Sequence, residues 1–141
     1  MKQFLFVLLT FSGIQAIAQA PVTWTFELIQ DDGGQAVKAT AVIDKDWVVY
    51  SPFTEEGGPI PTSIALEDVE LIGAAREEGE LIKSYSELFE INVSKFKKEV
   101  SFIQAFISDG NQKELKGYVR FMTCNGVSCL PPKNIDFSLE L

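Results

Sequence analysis

Histidine is absent from all 141 residues. Without an imidazole there is no Ser-His-Asp or Cys-His catalysis and no His-containing zinc site. Cysteine is nearly absent too, with two in the chain, too few to complete a tetrahedral metal site by themselves. Neither a metal nor a cofactor is expected. Positive charge is scarce: 12 Lys and Arg against 20 Asp and Glu leave a net charge of -8, which disfavours nucleic acid and anionic lipid surfaces as partners. The one basic cluster, Lys95, Lys97 and Lys98, reads as a solvated edge. No stretch approaches the roughly twenty consecutive apolar residues of a membrane span, so stable membrane insertion is not expected. Internal repeats, linkers and low-complexity segments are missing as well.

The amino terminus is informative. Met1-Lys2 is followed by an apolar run from Phe4 to Phe11 and by Ala16-Ile17-Ala18, a small-x-small pattern ahead of Gln19, which reads as a secretory signal peptide over residues 1–18. No cysteine follows the cleavage site, so lipid anchoring is not expected. The remaining residues 19–141 suit one domain with a full hydrophobic core, about the size at which single domains are common. Export out of the cytoplasm and a monomeric state are the expectations.

Along the chain, Val22, Trp24 and Phe26 alternate with Thr23, Thr25 and Glu27, the period of a half-buried strand. Asp31-Asp32-Gly33-Gly34 marks a turn, and Ala39, Ala41 and Ile43 alternate with Lys38, Thr40 and Val42. Asp44-Lys45-Asp46 interrupts, Trp47-Val48-Val49-Tyr50 resumes as strand, and residues 52–61 form a loop broken by Gly57-Gly58-Pro59. Residues 64–72 carry the next apolar positions. Polar residues 74–86 read as a mobile loop. Leu88-Phe89-Glu90-Ile91-Asn92-Val93, residues 100–107, 115–124 and 135–141 complete the strands. Short strands with turns between them and no 3.6-residue period predict an all-β, immunoglobulin-like antiparallel β-sandwich. Trp24, Trp47 and Phe102 are expected in its core.

Both cysteines lie in Arg120-Phe121-Met122-Thr123-Cys124-Asn125-Gly126-Val127-Ser128-Cys129-Leu130-Pro131-Pro132. Asn-Gly between strand-like residues is a hairpin signal, since a type I′ turn needs φ > 0 at both central positions. Opposed residues in such a hairpin approach closely enough for a disulfide, so geometry permits a Cys124–Cys129 bond. A ring of about six residues would contribute only about 2 kcal/mol in the chain-entropy model. That is a weak staple, and bridges across tight hairpins are the more exchangeable kind; spacing alone nevertheless leaves a structural bridge open. Alternation puts Cys124 on the face of Tyr118, Arg120 and Met122, where a partner could reach it. Leu130-Pro131-Pro132 beside Cys129 points to Cys124 as the partner-facing sulfur. Arg120 is too distant along the strand, roughly 13 Å against a screening length of about 8 Å, to activate the thiol.

Four blocks together resemble a known family: Asp46-Trp47-Val48-Val49-Tyr50-Ser51; Gly58-Pro59-Ile60-Pro61-Thr62; Leu71-Ile72-Gly73; and Gly117-Tyr118-Val119-Arg120-Phe121-Met122-Thr123-Cys124 through Cys129-Leu130-Pro131-Pro132. They are similar to the N-terminal periplasmic domain of the transmembrane thiol:disulfide interchange protein DsbD. The resemblance implies an immunoglobulin-like sandwich in the periplasm whose Cys124 and Cys129 cycle between dithiol and disulfide, taking electrons from a membrane donor and reducing thioredoxin-like proteins. It further implies that Tyr50 borders the active site and that a cap loop with acidic and aromatic residues covers it. Glu77, Glu78 and Tyr85 are the candidates for that cap, with Phe53 an alternative. The resemblance covers one domain, without transmembrane helices or a thioredoxin domain, so the donor is expected to be a separate protein. The competing expectation is a non-catalytic envelope binding domain whose hairpin bridge stays closed.

Overall fold

The computed structural model describes residues 20–141; the expected signal peptide and its cleavage site lie outside the described residues. The strands in chain order are β1 (Val22–Asp31), β2 (Gly34–Ile43), β3 (Val48–Tyr50), β4 (Ser63–Leu66), β5 (Glu70–Gly79), β6 (Ile82–Ser86), β7 (Ile91–Phe96), β8 (Glu99–Ile107), β9 (Glu114–Phe121), β10 (Thr123–Cys124) and β11 (Lys133–Glu140). Among the described residues there is no helix. All pairings are antiparallel, and the fold is all-β, as the strand spacing predicts.

One layer is the sheet β1-β2-β8-β5; the facing layer is divided into β10-β3-β7-β6 and β11-β9-β4. Inward residues of both layers meet in one core: Val22, Ala41, Ile43, Val100 and Phe102 from the first, Val49, Phe96 and Phe121 from the second. Phe102 is fully buried, while Trp24 and Trp47 are partly buried and pack against the cluster rather than lying within it. Trp24 reaches across the layers to Phe121 at 5.2 Å between ring centroids, and Phe26 stacks on Phe137 at 4.3 Å. Each apolar side chain so buried contributes about 1.5–3 kcal/mol relative to exposure, which is how a chain of this size holds two layers together.

Residues 74–86 are not a loop. They complete β5 and form β6, and their polar composition follows from exposure: β5 and β6 are edge strands whose residues face solvent at most positions. Composition measured wetness here, and wetness is not lack of structure. Residues 64–72 are not continuous either; the chain leaves β4 in one layer and enters β5 in the other, turning at Asp68 with φ +56°. Leu88 and Phe89 belong to the turn between β6 and β7 rather than to a strand.

The β1–β2 hairpin closes through Asp32 and Gly33, with φ +45° and +81°, the double positive φ of a type I′ turn. The Asn125-Gly126 pair behaves otherwise. Only Gly126 has positive φ, +89°, and Gly126-Val127 occupy the tip, because Asn125 N–H donates to the Ser128 carbonyl at 3.0 Å. The hairpin nevertheless sets Cys124 opposite Cys129, as the sequence reading expects; what differs is the turn, which is not the two-residue I′ type centred on Asn-Gly.

Candidate functional site around the disulfide

Strand β9 ends at Phe121, and after one irregular residue, Met122, the chain enters β10 in the neighbouring sheet. There Thr123 pairs with Val49 and Cys124 with Val48, and the Thr123 hydroxyl donates to the Val48 carbonyl at 2.8 Å. The crossing at Met122 resets the alternation. Cys124 therefore does not share an accessible face with Tyr118 and Arg120 but is 1 % exposed, in a cluster with Val48, Tyr50 and Val93 against which Phe89, Ile91, Met122 and Cys129 pack.

Cys124 and Cys129 are bonded, with Cα atoms 4.1 Å apart. Cys129 lies on the outer side of β10, at the rim of the sheet, and is half-buried. The order of burial is the reverse of the expectation drawn from Leu130-Pro131-Pro132: Leu130 is exposed and Cys129 half-buried, while Cys124 is buried. The turn between the cysteines is held by Asn125, whose Oδ1 accepts from Val127 N–H at 3.0 Å and Ser128 N–H at 2.9 Å.

Residues 52–61 lie over the cysteine-bearing face of this small sheet. The Thr62 hydroxyl donates to the Tyr50 carbonyl at 2.6 Å, Ser94 N–H to Thr54 Oγ1 at 3.0 Å, and Ile60 N–H to Met122 Sδ at 3.5 Å. Gly58 sits so close that a Cβ there would meet Ile91 Cδ1 at 2.6 Å. The disulfide is thereby built into a second, smaller core.

Beside it opens a cleft of about 220 Å³ in which Cys124 and Gly126 meet Tyr50, Tyr85, Lys95 and Lys97, with Asp46 and Glu87 also lining it. Tyr50 and Lys95 are directly opposed across β3 and β7. Tyr50 also meets Phe89 edge-on at 6.2 Å. Burial pushes the Tyr50 phenol above the ordinary tyrosine range, and burial, then the neighbouring Lys97, holds Lys95 below the usual lysine range. Lys95 is accordingly part of a cleft wall, not a freely solvated edge.

Glu77 and Glu78 do not line this cleft. Both are on β5 in the opposite layer: Glu77 accepts a hydrogen bond from the Ser51 hydroxyl, and Glu78 pairs with Arg76 at 2.8 Å and Lys38 at 3.4 Å. The Arg76 hydrogen bond is the main reason the Glu78 carboxyl lies below the usual range. Phe53 lines a different recess with Ala74 and Ala75. Of the expected cap residues only Tyr85 reaches the cleft, and its neighbours there are Glu87 and Leu88 of the β6–β7 turn. The signal for that turn was faint, since Ser86-Glu87-Leu88-Phe89 contains no glycine or proline. Among the described residues no group of His, Cys, Asp or Glu is arranged to hold a metal ion.

The raised Tyr50 pKa has a testable consequence. A group whose folded-state pKa exceeds its unfolded value keeps its contribution below the unfolded pKa, here 10.0, and loses it as pH rises towards the folded one. Urea midpoints measured between about pH 8 and 11 should fall more steeply for the parent than for Tyr50→Phe, which has no phenol to ionise. Identical slopes would show that the ring tolerates ionisation in place.

No protein-family model matches the chain, and no curated protein sequence does. Solved structures share its architecture, among them two N-terminal domains. The N-terminal domain of DsbD from Neisseria meningitidis, in the reduced form, superposes with a TM-score of 0.59 at 16% identity, covering 83% of this chain and 84% of that one. The N-terminal periplasmic domain of ScsB from Proteus mirabilis gives a TM-score of 0.59 at 17% identity, covering 91% of this chain and 49% of the other, so this chain spans about half of that length. The chain has the fold of the N-terminal periplasmic domains of DsbD and ScsB.

Proposed function

We propose that this chain is a periplasmic thiol-disulfide exchange module, exported by cleavage of residues 1–18, whose domain 19–141 passes electrons from a membrane donor to thioredoxin-like proteins through Cys124 and Cys129. The observation that carries the reading is the asymmetry of the bonded pair, one sulfur at a sheet rim and the other buried behind it. The fold shared with the DsbD and ScsB domains supports it.

In the reducing half, a donor thiolate attacks Cys129 Sγ. The Cys124–Cys129 bond breaks and its electron pair leaves on Cys124, which takes up a proton. The donor's second thiolate then attacks its own sulfur in the mixed disulfide, forming the donor disulfide and releasing Cys129. In the second half Cys129, as thiolate, attacks the acceptor disulfide, and Cys124 resolves the mixed species, restoring the bridge. Two electrons and two protons are transferred in all. Tyr50, Tyr85 and the β6–β7 turn border the pair and limit which surfaces reach it.

The burial of Cys124 in its own apolar cluster favours a second reading, a non-catalytic envelope binding domain with a permanently closed bridge. Equilibration against graded dithiol buffers, scored by alkylation and mass, separates the two. Exchange predicts a midpoint between about -180 and -270 mV, whereas a bridge still closed below about -300 mV overturns it.

A further inference from the structure

We propose that Val127 is the apolar anchor by which the hairpin selects its partner, a thioredoxin-like protein with an uncharged, apolar rim around its own reactive cysteine; the inference rests on the exchange reading above. Val127 is 84 % exposed, the most of any exposed large apolar side chain among the described residues. A lone exposed valine would need no explanation. This one is not alone, for Leu130, Leu88 and Tyr85 are exposed as well. Tyr85 and Leu88 share the cleft with Cys124 and Gly126, while Leu130 lines an apolar recess of about 210 Å³ with Phe121 and Pro131 on the other side of the hairpin.

Chemistry makes this surface unavoidable for a partner. A mixed disulfide brings the partner sulfur to about 2 Å from Cys129 Sγ, and Val127 and Leu130 stand two residues before and one after that sulfur. Residues 123–132 carry no charged side chain although the whole chain has a net charge of -8. The surface that meets the hairpin itself is therefore apolar rather than basic, with the charged Asp46, Glu87, Lys95 and Lys97 lining the cleft beside it. Turn positions also favour Gly, Asn or Ser, each with a backbone reason; valine at the tip has none.

Val127 is moreover presented rigidly. Asn125 Oδ1 holds the N–H groups of Val127 and Ser128, Asn125 N–H is bonded to Ser128, and the disulfide closes the ring. A contact held in place before docking loses little conformational freedom on binding.

The test is stopped-flow reduction of the oxidised protein by two probes, reduced thioredoxin and dithiothreitol, for the parent, Val127→Ser and Val127→Ile. The expected result is a loss of roughly tenfold in the thioredoxin rate for Val127→Ser, with the dithiothreitol rate unchanged within about twofold and Val127→Ile retaining both. An unchanged thioredoxin rate overturns the anchor. Equal losses with both probes overturn it too, since the substitution would then act on the bridge and not on docking. A parent reduced by dithiothreitol but not by thioredoxin overturns the partner class, and a parent that neither reduces sinks the exchange reading itself.

Discussion

With Cys124 replaced by serine, the remaining Cys129 thiol is expected to capture a partner as a stable mixed disulfide; with Cys129 replaced, the Cys124 thiol is expected to capture none. The reason is position. Cys129 is at the rim of β10, whereas Cys124 is 1 % exposed behind Val48, Tyr50 and Val93. Disulfide exchange needs the attacking sulfur to approach the target bond, so access enters the rate alongside thiolate fraction. Each variant loses the same ring constraint, worth about 2 kcal/mol in the chain-entropy model; Cys124→Ser also places a hydroxyl among Val48, Tyr50 and Val93, so the two are compared at conditions where both are shown to be folded. Alkylation with a small maleimide should run about tenfold or more faster on Cys124→Ser than on Cys129→Ser in the native state. In denaturant the two rates should converge. Equal native rates would mean that the hairpin opens freely and that burial does not assign the roles.

Replacing Gly117 by alanine is expected to give the largest loss of stability of any glycine-to-alanine change among the described residues. Gly117 lies in the middle of β9, between Phe137 of β11 and Leu66 of β4. A Cβ there would stand 2.3 Å from the Ala65 carbonyl oxygen, 2.8 Å from Phe137 Cζ and 3.1 Å from Leu66 Cδ2. The nearest atom is backbone of a paired strand and cannot rotate away. Phe137 is itself held by the stacked ring of Phe26 at 4.3 Å. Overpacking of this kind costs about 1–3 kcal/mol, and more when backbone must shift; roughly 3 kcal/mol is expected here, or about 10 °C in melting temperature for a domain of this size. Thermal unfolding of the oxidised protein measures it. A change under about 1 kcal/mol would show that β4 can peel away at small cost, as a short edge strand does when its pairing with the neighbour contributes little.

The hairpin signal at residues 31–34 was legible because a two-residue I′ turn is decided by the residues inside it, and Asp32-Gly33 supply both positive φ values. Asn125-Gly126 carries the same signal and locates the hairpin and its facing cysteines, but not the turn type. Its register answers to a disulfide and to Asn125 Oδ1, both outside the pair of residues the pattern reads. Residues 74–86 were misread for a related reason: β5 and β6 are edge strands facing water, so alternation is faint and polarity high. The family resemblance puts Glu77 and Glu78 in a cap near the cysteines; as strand residues they bond instead to Ser51, Arg76 and Lys38.

By itself the sequence determined the chemistry open to this protein and the class of its fold. Side-chain inventory is a property of composition, so the lack of histidine and the single pair of cysteines exclude and permit reactions whatever the chain's shape. Strand alternation and turn residues act over a few neighbours, so the all-β architecture could be read from them. The tertiary structure alone decided which sulfur faces outward, which residues line the cleft beside it and which loop covers it. Those relations depend on the crossing at Met122, which brings Cys124 beside Val48, and on residues 52–61 meeting Met122 and Ser94. Both are packing outcomes between segments far apart in the chain, and no local pattern encodes the space between them.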